Sequence, residues 1–173
     1  MLTNYNRDLS PNNDQMDPVT LYVSFNMFSL KEFDDLNGKL AILGAVRITW
    51  NDDRMIWDPQ QYGNITSVSL AESKVWIPFA GVGKPYGEIK RIGHDFIPVF
   101  YEYNGNAYWE VPDLFEISCS ANVAFYPFDR QKCEIFFVPS GYHPGFFSLK
   151  LPFNSMSFTN FTENGSWKVH SSS

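Results

Sequence analysis

CSANVAFYPFDRQKC, residues 119–133, contains both cysteines of the chain. Thirteen residues lie between Cys119 and Cys133, so the only intrachain disulfide available would close a short loop. Its tip, Phe125-Tyr126-Pro127-Phe128-Asp129, is strongly apolar for a loop. On either side the sequence alternates with a period of two. In AVRITW (45–50), Val46, Ile48 and Trp50 share one face while Ala45, Arg47 and Thr49 share the other, the pattern of a half-buried strand. NITSVSL (64–70), CEIFFV (133–138) and FFSLKL (146–151) read as further strands. PVFYEYNGNAYWEV (98–111) has aromatic-rich arms around Asn104-Gly105, a strong hairpin signal because both turn residues accept positive φ. Gly and Pro punctuate these runs, and the only helix signal is a short one over residues 2–8, ended before Ser10-Pro11. The expected fold class is all-β, a sandwich.

A chain of 173 residues can bury roughly 70% of its unfolded surface as one domain. Hydrophobic residues make up 44% and aromatics 17%, which excludes an intrinsically disordered chain. The net charge is −6 and no Lys/Arg run occurs, which argues against a nucleic-acid partner. No apolar run approaches the ~18 residues of a membrane span, and MLTNYNRDLS has no signal-peptide core. Three N-glycosylation sequons begin at Asn64, Asn160 and Asn164. Sequons together with a cysteine pair at loop spacing point to an extracellular chain, a mature domain or an excerpt.

Catalytic patterns are missing. GVGK (81–84) has Pro78 where a phosphate loop needs its first glycine and Pro85 where it needs Ser or Thr. His94, His143 and His170 are scattered, and the cysteine spacing fits no zinc finger. No serine stands in a Gly-x-Ser-x-Gly elbow. The acidic pairs Asp34-Asp35 and Asp52-Asp53 read as solvated turns, with calcium the alternative. No cofactor or resident metal is expected, and no enzyme activity.

The cysteine loop with its aromatic-Pro-Phe-Asp run resembles the signature loop of the Cys-loop pentameric receptors. This is the family of the nicotinic acetylcholine receptors and the soluble acetylcholine-binding proteins. Matches follow in order along the chain. Asn4-Tyr5-Asn6 through Pro11 resembles the end of the family's N-terminal helix. Residues 33–40 (FDDLNGKL) resemble its first inter-strand loop. Trp50-x-Asp52, Trp57-x-Pro59 and Tyr62-Gly63 resemble the next strands, Trp76-x-Pro78 the Trp-x-Pro-Asp motif, and Asn164-Gly165-x-Trp167 the late Asn-Gly-Glu-Trp. The resemblance implies a short N-terminal helix followed by a twisted two-sheet immunoglobulin-like sandwich, that residues 1–173 are an extracellular ligand-binding domain, that five subunits form a ring, and that ligands bind between neighbours. The family's loop C hairpin, last strand and membrane domain are absent from residues 1–173, which reads as an excerpt, a truncation or a deletion.

The family's acetylcholine site is a box of aromatic rings whose quadrupoles hold a quaternary ammonium. By resemblance, the first-loop Tyr position falls on Gly83, with Tyr86 the nearest aromatic. The second-loop Trp position falls on Ser140, followed by Tyr142, and the complementary-strand Trp position falls on Ala45. Arg47 shares the strand face of Ala45, and Phe100, Tyr108 and Glu110 fall on complementary-side hairpin positions. The expectation is a remodelled pocket that does not take acetylcholine in the usual way and suits a larger or greasier ligand. It is similar in kind to the pockets of chemotactile receptors, divergent mollusc members of the family that bind hydrophobic molecules. The bland alternative is that Phe100 and Tyr108 only pack the subunit interface.

In channels of the family the cysteine loop and first inter-strand loop press on the membrane domain. That role would fall here to Asp34, Asp35, Tyr126, Pro127, Phe128 and Asp129. In the soluble binding proteins the loop is hydrophilic, so the apolar tip favours a channel in the cell membrane over a secreted pentamer. A structural subunit that binds no ligand is the third reading.

Overall fold

The computed structural model describes residues 2–93, 96–125, 128–139, 143, 145–152 and 155–169. Among them the two-residue alternation becomes nine strands: β1 (Val19–Asp34), β2 (Lys39–Ile56), β3 (Ser67–Ala71), β4 (Ala80–Gly83), β5 (Pro98–Glu102), β6 (Asn104–Ser118), β7 (Phe136–Pro139), β8 (Phe147–Lys150) and β9 (Met156–Ser157). The larger sheet runs β3-β5-β6-β2-β1-β8, with β9 also on β1, and the smaller pairs β4 with β7. Neighbours are antiparallel except β8 and β9, which run parallel to β1. The all-β sandwich is thus observed.

Val46, Ile48 and Trp50 of β2 are buried, as the alternation requires, beside Leu21, Phe25 and Met27 of β1 and Trp109, Val111 and Phe115 of β6. Phe137 of β7 joins the two sheets. Its ring lies 5.6 Å from both Phe25 and Phe115, which are 5.3 Å from each other. Burying each such ring contributes roughly 1.5–3 kcal/mol. Phe25 fits because position 44 is glycine: a Cβ there would stand 2.5 Å from its Cζ and 2.8 Å from the Asn26 carbonyl oxygen. Gly44→Ala is therefore expected to cost about 1–3 kcal/mol by overpacking, read as a lowered denaturant midpoint. An unchanged midpoint would show that Phe25 can retreat freely.

Two local expectations are corrected. Residues 2–9 form turns closed by Tyr5 N–H to Leu2 O and Leu9 N–H to Asn6 O, not a helix. The Asn6 side chain accepts from Asp8 N–H, and such bonds offer the backbone an alternative to helix. In the β5–β6 hairpin, Phe100 pairs with Tyr108 and Tyr101 with Ala107, and of the Asn104-Gly105 pair only Gly105 takes positive φ, 88°. Asn104 instead accepts from Asn106 N–H through its side chain. A Cβ at Gly105 would also meet the Asp52 carbonyl oxygen at 2.7 Å.

Candidate functional site

The face of the large sheet turned away from the core carries most of the complementary-side residues. Cross-strand register places Arg47 of β2 opposite Glu110 of β6, and Phe100 of β5 opposite Tyr108 of β6. Arg47 Nε and Nη2 donate to Glu110 Oε2 at 2.8 and 2.5 Å. The Phe100 and Tyr108 rings meet edge-on at 6.1 Å. With Ile97, Pro98 and Glu102 these four line an open depression of about 520 Å³. Burial first, then the Glu102 charge, pushes the Tyr108 hydroxyl above its ordinary pKa, so it stays a neutral donor.

A second depression of about 330 Å³ lies beside it, lined by Ser24, Phe25, Asn26, Ala45, Ser157 and Thr159. Arg47 and Glu110 line both, so their ion pair forms the ridge between the two. Ala45 departs from the expected open pocket wall: only 2% of it is exposed. The segment around β9 packs along β1 here, with Phe25 N–H bonded to Ser155 O and Ser157 Oγ–H to Asn26 Oδ1. Asn26 is the register partner of Ala45.

Gly83 and Tyr86 line neither depression. Gly83 ends β4 in the small sheet, opposite Phe136. Tyr86 lies by the far end of β6, with its N–H on Glu116 O and its ring 5.7 Å from Lys39 Nζ. Ser140 and Tyr142 lie outside the described residues. Of the described residues, then, Gly83 and Tyr86 do not join Arg47, Phe100, Tyr108 and Glu110.

At the cysteine-loop end, Cys119 and Cys133 form the disulfide. Cys119 N–H donates to Gly38 O at 2.8 Å, fixing the loop base to the β1–β2 turn. Asp34 shapes that turn by accepting from Leu36 N–H, Asn37 N–H and the Asn37 side chain, whose bond leads in holding the carboxyl below its ordinary pKa. Asp35 is exposed in the same turn, and Asp129 accepts from the Gln131 side chain. Apolar side chains project from this end: Leu36 is 93% exposed, Phe128 88% and Phe125 75%. Tyr126 and Pro127 lie outside the described residues.

Asp52 is a further correction. It is fully buried on β2, not part of a solvated turn, and Arg54 Nε donates to its Oδ1 at 3.0 Å. Sequence reasoning also missed Ser24, Asn26, Ser157 and Thr159. The first two lie on the outer face of a strand whose alternation is readable, whereas the last two sit in a stretch with no period.

A family model described as the neurotransmitter-gated ion-channel ligand binding domain matches residues 1–173. The neuronal acetylcholine receptor subunit alpha-6 of Homo sapiens is 26% identical over 170 residues, 98% of this chain and 34% of that protein. The acetylcholine receptor subunit beta of Xenopus laevis is 31% identical over 176 residues, 96% of this chain and 36% of that protein. The neuronal acetylcholine receptor subunit alpha-2 of Mus musculus is 27% identical over 166 residues, 95% and 32% respectively. The chain thus spans about a third of the length of these relatives.

Proposed function

Because the chain belongs to the neurotransmitter-gated ion-channel ligand binding domain family, we propose that it is the extracellular domain of a pentameric channel subunit whose pocket takes an apolar or amphipathic ligand in place of acetylcholine. The observation that carries this reading is the depression on β2, β5 and β6, where Phe100 and Tyr108 stand beside the Arg47–Glu110 pair. A quaternary ammonium gains up to ~2 kcal/mol or more from each desolvated ring that faces it. Here the buried Ala45 stands in place of one such ring, and the Arg47 guanidinium is held in an ion pair with Glu110. An uncharged apolar ligand does not depend on that ring and gains by covering Phe100 and Pro98.

The first face, with Gly83, Tyr86, Ser140 and Tyr142, would come from a neighbouring subunit in the ring. Exposed Leu36, Phe125 and Phe128 favour the channel over a secreted pentamer, because an apolar surface at one end of a domain calls for a partner. A full gene that stops before any apolar helix would exclude the channel.

The test is electrophysiology of the full-length subunit expressed alone. Acetylcholine is expected to evoke no current, and a panel of uncharged hydrophobic compounds to contain agonists. Phe100→Ala and Arg47→Ala are expected to shift the agonist dose-response curve. An exposed ion pair contributes only ~0.2–1 kcal/mol, so Arg47→Ala should leave folding nearly unchanged. Acetylcholine-evoked currents of ordinary sensitivity would overturn the ligand reading.

A further inference from the structure

The three sequons are in unlike settings. Asn64 and Asn160 are exposed and share a left-handed backbone, each with φ 62°, at the surface of a turn. Asn is one of the few residues with a side chain that visits this conformation routinely. Asn64 follows the 3-10 turn Pro59–Tyr62, with its N–H on Pro59 O. Asn160 sits in the turn closed by Phe161 N–H to Phe158 O, and its sequon threonine, Thr162, is exposed.

Asn164 is different. Its Nδ2 donates to Leu30 O of β1 at 3.0 Å, and its Oδ1 accepts from Ser166 N–H at 2.7 Å and Trp167 N–H at 3.2 Å. These bonds seat the Trp167 ring edge-on against Phe33 at 5.0 Å. A sugar on Nδ2 would stand where the β1 backbone now lies.

Position gives Asn160 a second meaning. Its neighbour Thr159 lines the depression over Ala45, and Asn160 projects from the same turn. We propose that Asn64 and Asn160 carry N-linked glycans, that Asn164 does not, and that the Asn160 glycan forms a rim beside the Ala45 depression and limits the size of what enters. This rests on the extracellular reading given above. In the transfer, the Asn amide nitrogen forms a bond to C1 of an oligosaccharide carried on a lipid diphosphate. The C1–O bond to the carrier breaks, the lipid diphosphate leaves with the electron pair, and one amide proton passes to a base of the transferase.

The experiment expresses the full-length subunit in a eukaryotic secretory host and maps site occupancy by mass spectrometry of its peptides. Occupancy at Asn64 and Asn160 with none at Asn164 is the expected result. Occupancy at Asn64 alone overturns the inference and leaves the extracellular reading standing. With no site occupied, both fall. Occupancy at Asn164 in folded, assembled protein overturns its assignment as a structural strut.

The rim is read separately, through a thiol introduced by Thr159→Cys, which leaves the sequon intact. Its labelling by a polyethylene-glycol maleimide is expected to quicken several-fold when the glycan is removed, while labelling by N-ethylmaleimide changes little. Removal is by endoglycosidase or by Thr162→Ala, which spares the left-handed Asn160. If both reagents react at the same rate with and without the glycan, there is no rim.

Discussion

Replacing both Cys119 and Cys133 by alanine is expected to lower the melting temperature of the domain by about 6–12 °C. The disulfide closes a loop spanning 14 residues of sequence, and a loop of that size stabilises by about 3 kcal/mol in the chain-entropy model. At this chain length each kcal/mol moves the transition by about 2–4 °C. Across the loop the Gln131 side-chain amide accepts from Asn122 N–H at 2.7 Å and donates to Asn122 O at 3.0 Å, one rung above the disulfide. At its base, Cys119 is buried in the core while Phe125 and Phe128 bury little. Without the covalent tie the loop has little reason to keep its shape, so assembly into the proposed pentamer should weaken as well. Calorimetry and size-exclusion chromatography check the two effects, and an unchanged melting temperature would refute the first.

Asp52→Ala is expected to be more damaging, costing about 3–5 kcal/mol, because it removes one partner of a buried pair and strands the rest. Asp52 accepts from the Tyr5 hydroxyl and from Arg54 through its backbone N–H, Nε and Nη2. The network continues outward. Arg54 Nη1 donates to Asn6 O at 2.8 Å, and its guanidinium lies 4.3 Å from the Tyr5 ring. The Tyr5 oxygen accepts from Trp76 N–H at 3.0 Å. Burial, followed by the bond to Asp52, pushes the Tyr5 hydroxyl far above its ordinary pKa, so it stays protonated and donates to Asp52 while its oxygen accepts. One carboxylate thus fastens the N-terminal turns and the Trp76-x-Pro78 segment to β2. Chemical denaturation measures the loss, and hydrogen exchange should rise first over residues 2–9. Asp52→Asn keeps the shape and should cost less. A loss under about 1 kcal/mol for the alanine variant would rank this network with weak surface pairs.

What the sequence revealed depended on how local each signal is. The alternation of Val46, Ile48 and Trp50 names its own buried face, and extending it by one step puts Asp52 on that face and Asp53 outside. Reading the two as a solvated acidic turn overlooked the same period. Leu21, Phe25 and Met27 likewise mark β1, a strand not identified from its pattern. The parallel seating of β8 and β9 on β1 joins residues more than a hundred positions apart, and no local pattern encodes it. Ser157 and Thr159, which share the second depression with Ala45, come from that same distant segment, so this wall was not readable from a local pattern. Arg47, Phe100, Tyr108 and Glu110 share one surface because all four lie on regular strands with fixed register. Gly83 belongs to the other sheet and Tyr86 lies by the far end of β6, so neither shares that surface.

Strand β6 has a mechanical side. It runs unbroken from Asn104 to Ser118 and passes directly into Cys119. Glu110, on the ridge between the depressions, stands nine residue steps from that cysteine, about 30 Å of extended chain. Covalent geometry sets the length of such a chain, so it barely stretches. Continuous register with β2 from Asn106 to Ser118 also holds it against sliding, so the strand acts as a ruler that keeps a fixed spacing between the ridge and the base of the cysteine loop. The bond from Cys119 N–H to Gly38 O ties the β1–β2 turn, with its exposed Leu36, to the same end of the ruler.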